Sequence, residues 1–152
     1  VYKVAFLPLL PRNLKMKRIT RFNSNFEFDV EAGHGVRSAD YLNWRIINHP
    51  KGNFHAYEFF DNGESVGYCV LTTIAGNANL ADFVTSRRSR GCLRLLVDHC
   101  WSEGLAQLGI RGTGLSLGKL GFMRLASKGD CTAVELPGAH WIVTPCDLDV
   151  DY

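Results

Sequence analysis

Leu80-Ala-Asp-Phe-Val-Thr85-Ser-Arg-Arg-Ser-Arg-Gly91-Cys-Leu-Arg-Leu-Leu-Val-Asp-His-Cys100-Trp101 is the stretch on which the fold turns. Leu80 to Thr85 reads as a strand. After it the apolar period changes from 2 to 3.6: Leu93, Leu96, Val97, Cys100, Trp101 and Leu105 fall at helical spacing, with Gly104 and Gly109 near the helix end. Gln107 to Leu115 reads as the next strand. A strand, a helix and a strand in that order predict a crossover, right-handed and joining parallel neighbours.

Upstream of this unit the spacing predicts an antiparallel meander. Phe54 to Phe60 is an aromatic-rich strand, and Asp61-Asn-Gly63 is a hairpin turn, because Asn-Gly supplies the positive φ angles that a tight turn needs. Ser65 to Ile74 is the return strand. Gly76-Asn-Ala-Asn79 reads as the turn into Leu80–Thr85. Further back, Lys15 to Phe22 alternates as a strand. Ser24-Asn-Phe-Glu27 has capping-box spacing for a short helix to about Ala32, and Ser38 caps a second helix carrying Asp40 in its first turn. Tyr41, Leu42, Trp44, Arg45, Ile46 and Ile47 give that helix a wide apolar face, and His49-Pro50-Lys-Gly52 stops it. Downstream, Ser116 to Leu120 reads as a short helix closed by Gly121. Phe122–Leu136 and Ala139–Cys146 read as two strands joined at Pro137-Gly138. Trp44, Trp101, Phe59, Phe83 and Trp141 are expected in the core.

The composition bounds the class. The chain has 152 residues, 46% hydrophobic and 21% charged, as expected of one globular domain, and no apolar run approaches a membrane span. Residues 1–13, punctuated by Pro8 and Pro11, read as an arm or linker ahead of a single domain at 14–152. The chain opens on Val1, which leaves room for a longer parent protein. The net charge of +2 gives little reason to expect nucleic acid as a partner. The five Cys (69, 92, 100, 131, 146) include no Cys-x-x-Cys pair. They read as buried or half-buried thiols in a reducing compartment, the cytoplasm, and no metal site is expected.

The start of the long helix is the place for chemistry. A helix N-terminus leaves free N–H groups and a partial positive charge, which together hold phosphate. Gly91 admits close backbone approach, and Arg87, Arg88 and Arg90 add formal charge. The bland alternative is a solvated basic helix start. Asp82 is the only carboxylate on the strand before the helix; its bland reading is a structural carboxylate paired with Arg88 or capping the turn. His99, mid-helix, reads as a satisfied structural histidine. Tyr41, Tyr57 and Tyr68 are candidates to line a cleft.

The order β-α-α-β-β-β-α-β-α-β-β, over about residues 14–146, resembles the GNAT (N-acetyltransferase) superfamily. Arg88-Ser-Arg-Gly91-Cys-Leu93 is similar to the family's Gln/Arg-x-x-Gly-x-Gly/Ala, with Leu93 where a small residue is usual. Leu120-Gly121-Phe122 is similar to its Gly-Phe after a short helix. Arg37, Tyr41-Leu-Asn-Trp-Arg45, His49-Pro50, Val66-Gly-Tyr68 and the ending Trp141 to Asp149 resemble a divergent GNAT-like subgroup whose members often form one half of a longer protein.

The resemblance implies an α+β fold: a mixed, mostly antiparallel sheet with helices on both faces. It implies an N-acyltransferase using acetyl-CoA or another acyl-CoA. Val84, Arg87, Arg88, Ser89, Arg90, Gly91, Cys92 and Leu93 would hold the cofactor, with the pantetheine arm between strands 80–85 and 107–113. Asp82 would be the base, with His55 and Glu58 behind it. His34, His55 and Tyr57 would contact a small-molecule or peptide amine. Leu117 stands where the family often has a Tyr acid, with Ser116 beside it. The rival expectation is a catalytically silent GNAT-like module for protein interaction, with a homodimer or a second GNAT-like domain as partner.

Overall fold

The computed structural model describes residues 12–26, 37–105 and 107–110. Strand β1 (Leu14–Ile19) precedes helix α1 (Ala39–Leu42), which runs on as a π-helical turn over Asn43–Ile47. Strands β2 (Phe54–Asp61), β3 (Glu64–Ile74) and β4 (Asn77–Thr85) follow, then helix α2 (Ser89–Ser102) and strand β5 (Gln107–Ile110). The sheet order is β1-β2-β3-β4-β5. The first four strands pair antiparallel, and β4 pairs parallel with β5. The expected meander and parallel crossover are therefore both present. The expected elements after residue 110 and the arm at residues 1–11 lie outside the described residues.

Local chemistry explains the turns. Asn62 and Gly63 stand at φ 54° and 88° between the paired Asp61 and Glu64, the two-residue hairpin that Asn-Gly favours. The next hairpin is tighter than the sequence suggests. Its turn is Ala75-Gly76, and β4 begins at Asn77, paired with Ile74. The asparagines read as turn formers instead extend the strand, because their backbone groups complete the ladder on β3 and then on β5. Ser38 caps α1 as expected, its Oγ accepting from Tyr41 N at 3.1 Å. The helix expected from Ser24 does not begin there. Phe26 forms an antiparallel bridge with Arg37 and buries its ring against Phe22 and Tyr68; residues 27–36 lie outside the described set.

Each face of the sheet carries its own apolar cluster. On the α2 face, Cys92, Leu93, Leu96 and Cys100 meet Leu14, Tyr57, Phe59, Cys69, Leu71 and Leu80. On the α1 face, Leu42 and Ile46 meet Phe22, Phe26, Ala56, Tyr68, Val70 and Ala81. Each fully buried Leu contributes roughly 1.5–3 kcal/mol by its removal from water. Trp44 and Trp101 are not in either cluster: they are 66% and 76% exposed. Leu42 and Ile46 aim α1 at the sheet, and Trp44, two residues from each, falls on the opposite side of that turn. Trp101 follows Cys100 by about 100° around α2. Phe59 is buried and Phe83 packs partly against the α2-side cluster.

Candidate functional site

A bulge in β4 sets the geometry around Asp82. Val70 pairs with Asp82 and Leu71 with Leu80, so Ala81 is the extra residue. Leu80 and Phe83 consequently face α2, whereas Ala81 and Val84 face α1. Asp82, opposite Val70, shares the α1 face. Regular alternation would have left Asp82 under α2. Asp82 is 2% exposed, and Tyr68 donates its hydroxyl to Asp82 Oδ2 at 2.8 Å. Glu58, opposite Tyr68 on β2, is also buried on this face and accepts from Ser65 Oγ. Among the described residues, β4 pairs with β5 over Asn77–Leu80.

Five residues beyond Val84, α2 starts. Arg88 at the N-cap makes no side-chain capping bond and adopts the left-handed conformation, φ 56° and ψ 30°. Ser89 Oγ shares a 2.7 Å hydrogen bond with Thr85 Oγ1 and ties the helix start to the strand end. Cys92 and Leu93 point into the α2-side core, so only their backbone faces the helix start. Burial, then the nearby Asp61 carboxylate, pushes the Cys92 thiol up to about 12. Burial likewise raises Cys69 well above the ordinary thiol range and Cys100 to about 11.

The arginines at this point are engaged. Arg88 Nε donates to Asp61 Oδ2 at 2.5 Å, and Arg87 donates to Glu64 Oε2 at 2.6 Å, with its Nε 3.8 Å from Asp61. Arg88 thus pairs with Asp61, not with Asp82. The hairpin turn between β2 and β3 therefore docks on the helix start. The sequence reading named the arginines and missed both acids. The signal available was an Asp and a Glu flanking an Asn-Gly turn in a chain that also carries an Arg-Arg pair.

His55 and Tyr57 sit on the other face. His55 pairs with Leu71 and Tyr57 with Cys69 in register, both in the α2-side cluster. Arg18 donates to His55 Nδ1 at 2.8 Å, so that nitrogen is the acceptor, and Nε2 donates to Thr73 Oγ1 at 3.3 Å. Burial, then the Arg18 charge, lowers the His55 pKa. Burial first, against the opposing pull of Arg18, raises that of Tyr57. Tyr57 and His99 share a 3.0 Å hydrogen bond, which satisfies His99 as expected. The structure thus brings Asp82, Tyr68 and Glu58 together and separates them from His55, Tyr57 and His99. His34, Ser116 and Leu117 lie outside the described residues.

An antiparallel four-strand meander leading through a helix into a parallel fifth strand, with helices on both faces, is the expected α+β architecture. No protein-family model matches the chain, and no curated protein matches it significantly. Among solved structures it is similar to the ribosomal-protein-S18-alanine N-acetyltransferase from Escherichia coli, at 14% identity over 70% of this chain and 73% of that one, TM-score 0.45. It is similar to the aminoglycoside acetyltransferase meta-AAC0020 from an uncultured soil metagenomic sample, at 10% identity over 82% and 97%, TM-score 0.48. A GCN5-related N-acetyltransferase from Kribbella flavida is 15% identical over 79% and 50%, TM-score 0.42. Among the described residues, no helix is long and apolar enough to cross a membrane.

Proposed function

We propose that the chain is an acyl-CoA-dependent N-acyltransferase acting on a small-molecule or peptide amine. The observation that carries the reading is the β4 bulge, which turns Asp82 onto the α1 face one strand-end away from a helix start whose N-cap makes no side-chain capping bond. The residues present fit the cofactor. The first turn of α2 offers backbone N–H groups from Ser89, Arg90 and Gly91, the groups that hold a diphosphate. The extended arm would run along β4, pairing through backbone groups as an added strand does. Acyl-CoA supplies the thioester carbonyl and the leaving thiolate.

The chain's own part follows. Val84 and Ser89 fix the approach from strand to helix, and Arg87, Arg88 and Arg90 balance the anion's charge. Asp82 accepts the proton of the attacking amine, directly or through a water, as the new N–C bond forms and the C–S bond breaks. Tyr68 holds the carboxylate by its second oxygen. His34 stays as a proposed contact for the acceptor; His55 and Tyr57, on the sheet face opposite Asp82, are not carried forward as contacts for it. The soluble, reducing interior of a cell is the proposed setting.

The test is thermal unfolding with acetyl-CoA, CoA and a longer acyl-CoA, followed by thiol release against a panel of amines. A ligand at about 100 times its dissociation constant adds roughly 2.7 kcal/mol of stability. Asp82→Asn should keep the thermal shift and lower kcat by about 10²–10⁴-fold. No shift with any of the three at millimolar concentration sinks the reading. One observation favours the rival, a catalytically silent GNAT-like interaction module: Asp82 is almost wholly buried. A cofactor-induced shift without turnover of any amine would select it.

A further inference from the structure

The two arginines before α2 are held by acids of very different burial. The Asp61 side chain is 4% exposed and receives Arg88 Nε. Glu64 is 75% exposed and receives Arg87, itself half-exposed. An ion pair in water is weak and exchangeable, whereas removing one member of a buried pair strands a charge. Arg88 is additionally fixed by the backbone, since it is the left-handed N-cap of α2. Its end-on contact through Nε leaves the two Nη groups without a hydrogen bond or ion pair among the described residues.

We propose that Glu64 is an internal counter-anion for Arg87 that an anionic ligand at the α2 start displaces, while Asp61 holds Arg88 in place throughout. The inference rests on the cofactor reading above and adds a competitor to it. In the free protein the hairpin carboxylate occupies the arginine that a diphosphate would recruit. Binding therefore exchanges one Arg87 partner for another, and Glu64 lowers affinity instead of supporting it. Asp61 acts in the opposite sense, as a positioning residue. It keeps the guanidinium of Arg88 docked beside the first turn of α2.

The two acids thus carry predictions of opposite sign. Isothermal titration with CoA, and with inorganic diphosphate as a minimal probe, compares wild type, Glu64→Gln, Asp61→Asn and Arg87→Ala at low salt. Glu64→Gln should bind about two- to five-fold tighter, the range expected on releasing an exposed ion pair. That gain should vanish at 1 M salt, where charges are screened beyond about 3 Å, and in the Arg87→Ala background. Asp61→Asn should bind more weakly and melt lower, whereas Glu64→Gln, at an exposed site, should melt like wild type. Equal or weaker binding by Glu64→Gln, with wild type binding normally, overturns this inference and leaves the cofactor reading intact. No binding of CoA by wild type or Glu64→Gln overturns both.

Discussion

Gly67 is the position where one added carbon should do the most damage. It lies on β3 beside the bulge at Val66, at φ 155°, opposite Thr85. A Cβ there would stand 2.2 Å from Val84 O, 2.7 Å from Thr85 Cα and 2.9 Å from Thr85 Cγ2. Two of those atoms are backbone, so no side-chain rotation relieves the clash. Bringing 2.2 Å up to the 3.0 Å that real Cβ contacts respect moves β4 by 0.8 Å, within the ladder that leads to α2. Forced overpacking costs about 1–3 kcal/mol, and a side chain at this φ a further 1–3 or so. At roughly 2–4 °C per kcal/mol for a chain this long, Gly67→Ala should lower Tm by about 5–20 °C. Gly104→Ala is the control, since Gly104 has positive φ but nothing within 4 Å of its added carbon. It carries strain without a clash. Thermal and urea unfolding of both variants measure the difference. A Gly67→Ala melt no lower than that of Gly104→Ala would refute the close approach of β3 and β4.

Three further outcomes are expected. Trp44→Phe and Trp101→Phe, at exposed positions, should each change stability by no more than about 0.5 kcal/mol in urea titrations; a loss of several kcal/mol would put that indole in the core. Cys69, Cys92 and Cys100 should resist thiol labelling in the native protein at pH 8 and react after denaturation, read peptide by peptide by mass spectrometry. Burial keeps all three protonated, and labelling in minutes under native conditions would contradict it. His55 has a folded pKa below its unfolded value of about 6.5, so the unfolded chain binds more protons as the pH falls through that value. Stability should therefore decline on acidification below about pH 6.5, and His55→Gln should flatten that part of the profile; an unchanged slope would show that His55 titrates alike in both states.

Much of this architecture is local and was readable. Asn62-Gly63 demands its hairpin, Ser38 its cap, and the change of period after Thr85 its helix. What stayed hidden is long-range. Leu80 and Phe83 both face α2 although they are three residues apart, and that odd spacing is the trace of the bulge at Ala81. In isolation Leu80 to Thr85 passes for a regular strand, so the face of Asp82 could not be read from it. Asp61 and Glu64 meet Arg87 and Arg88 only after more than twenty intervening residues have folded. The misplaced tryptophans have a simpler origin. Leu42 with Ile46, and Leu93 with Leu96 and Cys100, already fill the sheet-facing stripe of each helix, leaving no room for an indole beside them.

The division of titratable groups between the two faces constrains any chemistry. Asp82 and Tyr68 share one face with Glu58; His55, Tyr57, His99 and Arg18 share the other, and the sheet itself lies between. His55 is on β2 and Asp82 on β4, two strands apart. A network that passed a proton from one to the other would have to cross a layer of buried apolar side chains. The two residues should therefore behave as independent sites. A double-mutant cycle of His55→Gln and Asp82→Asn, scored by urea unfolding, should be additive to within about 0.5 kcal/mol, as for residues with no shared partner. The same additivity should hold in kcat for any amine that is turned over. Coupling above about 1 kcal/mol in either measure would mean that the two act on one network. In that event the separation imposed by the bulge would not govern the site, and Asp82 would lose its claim to work from the α1 face alone.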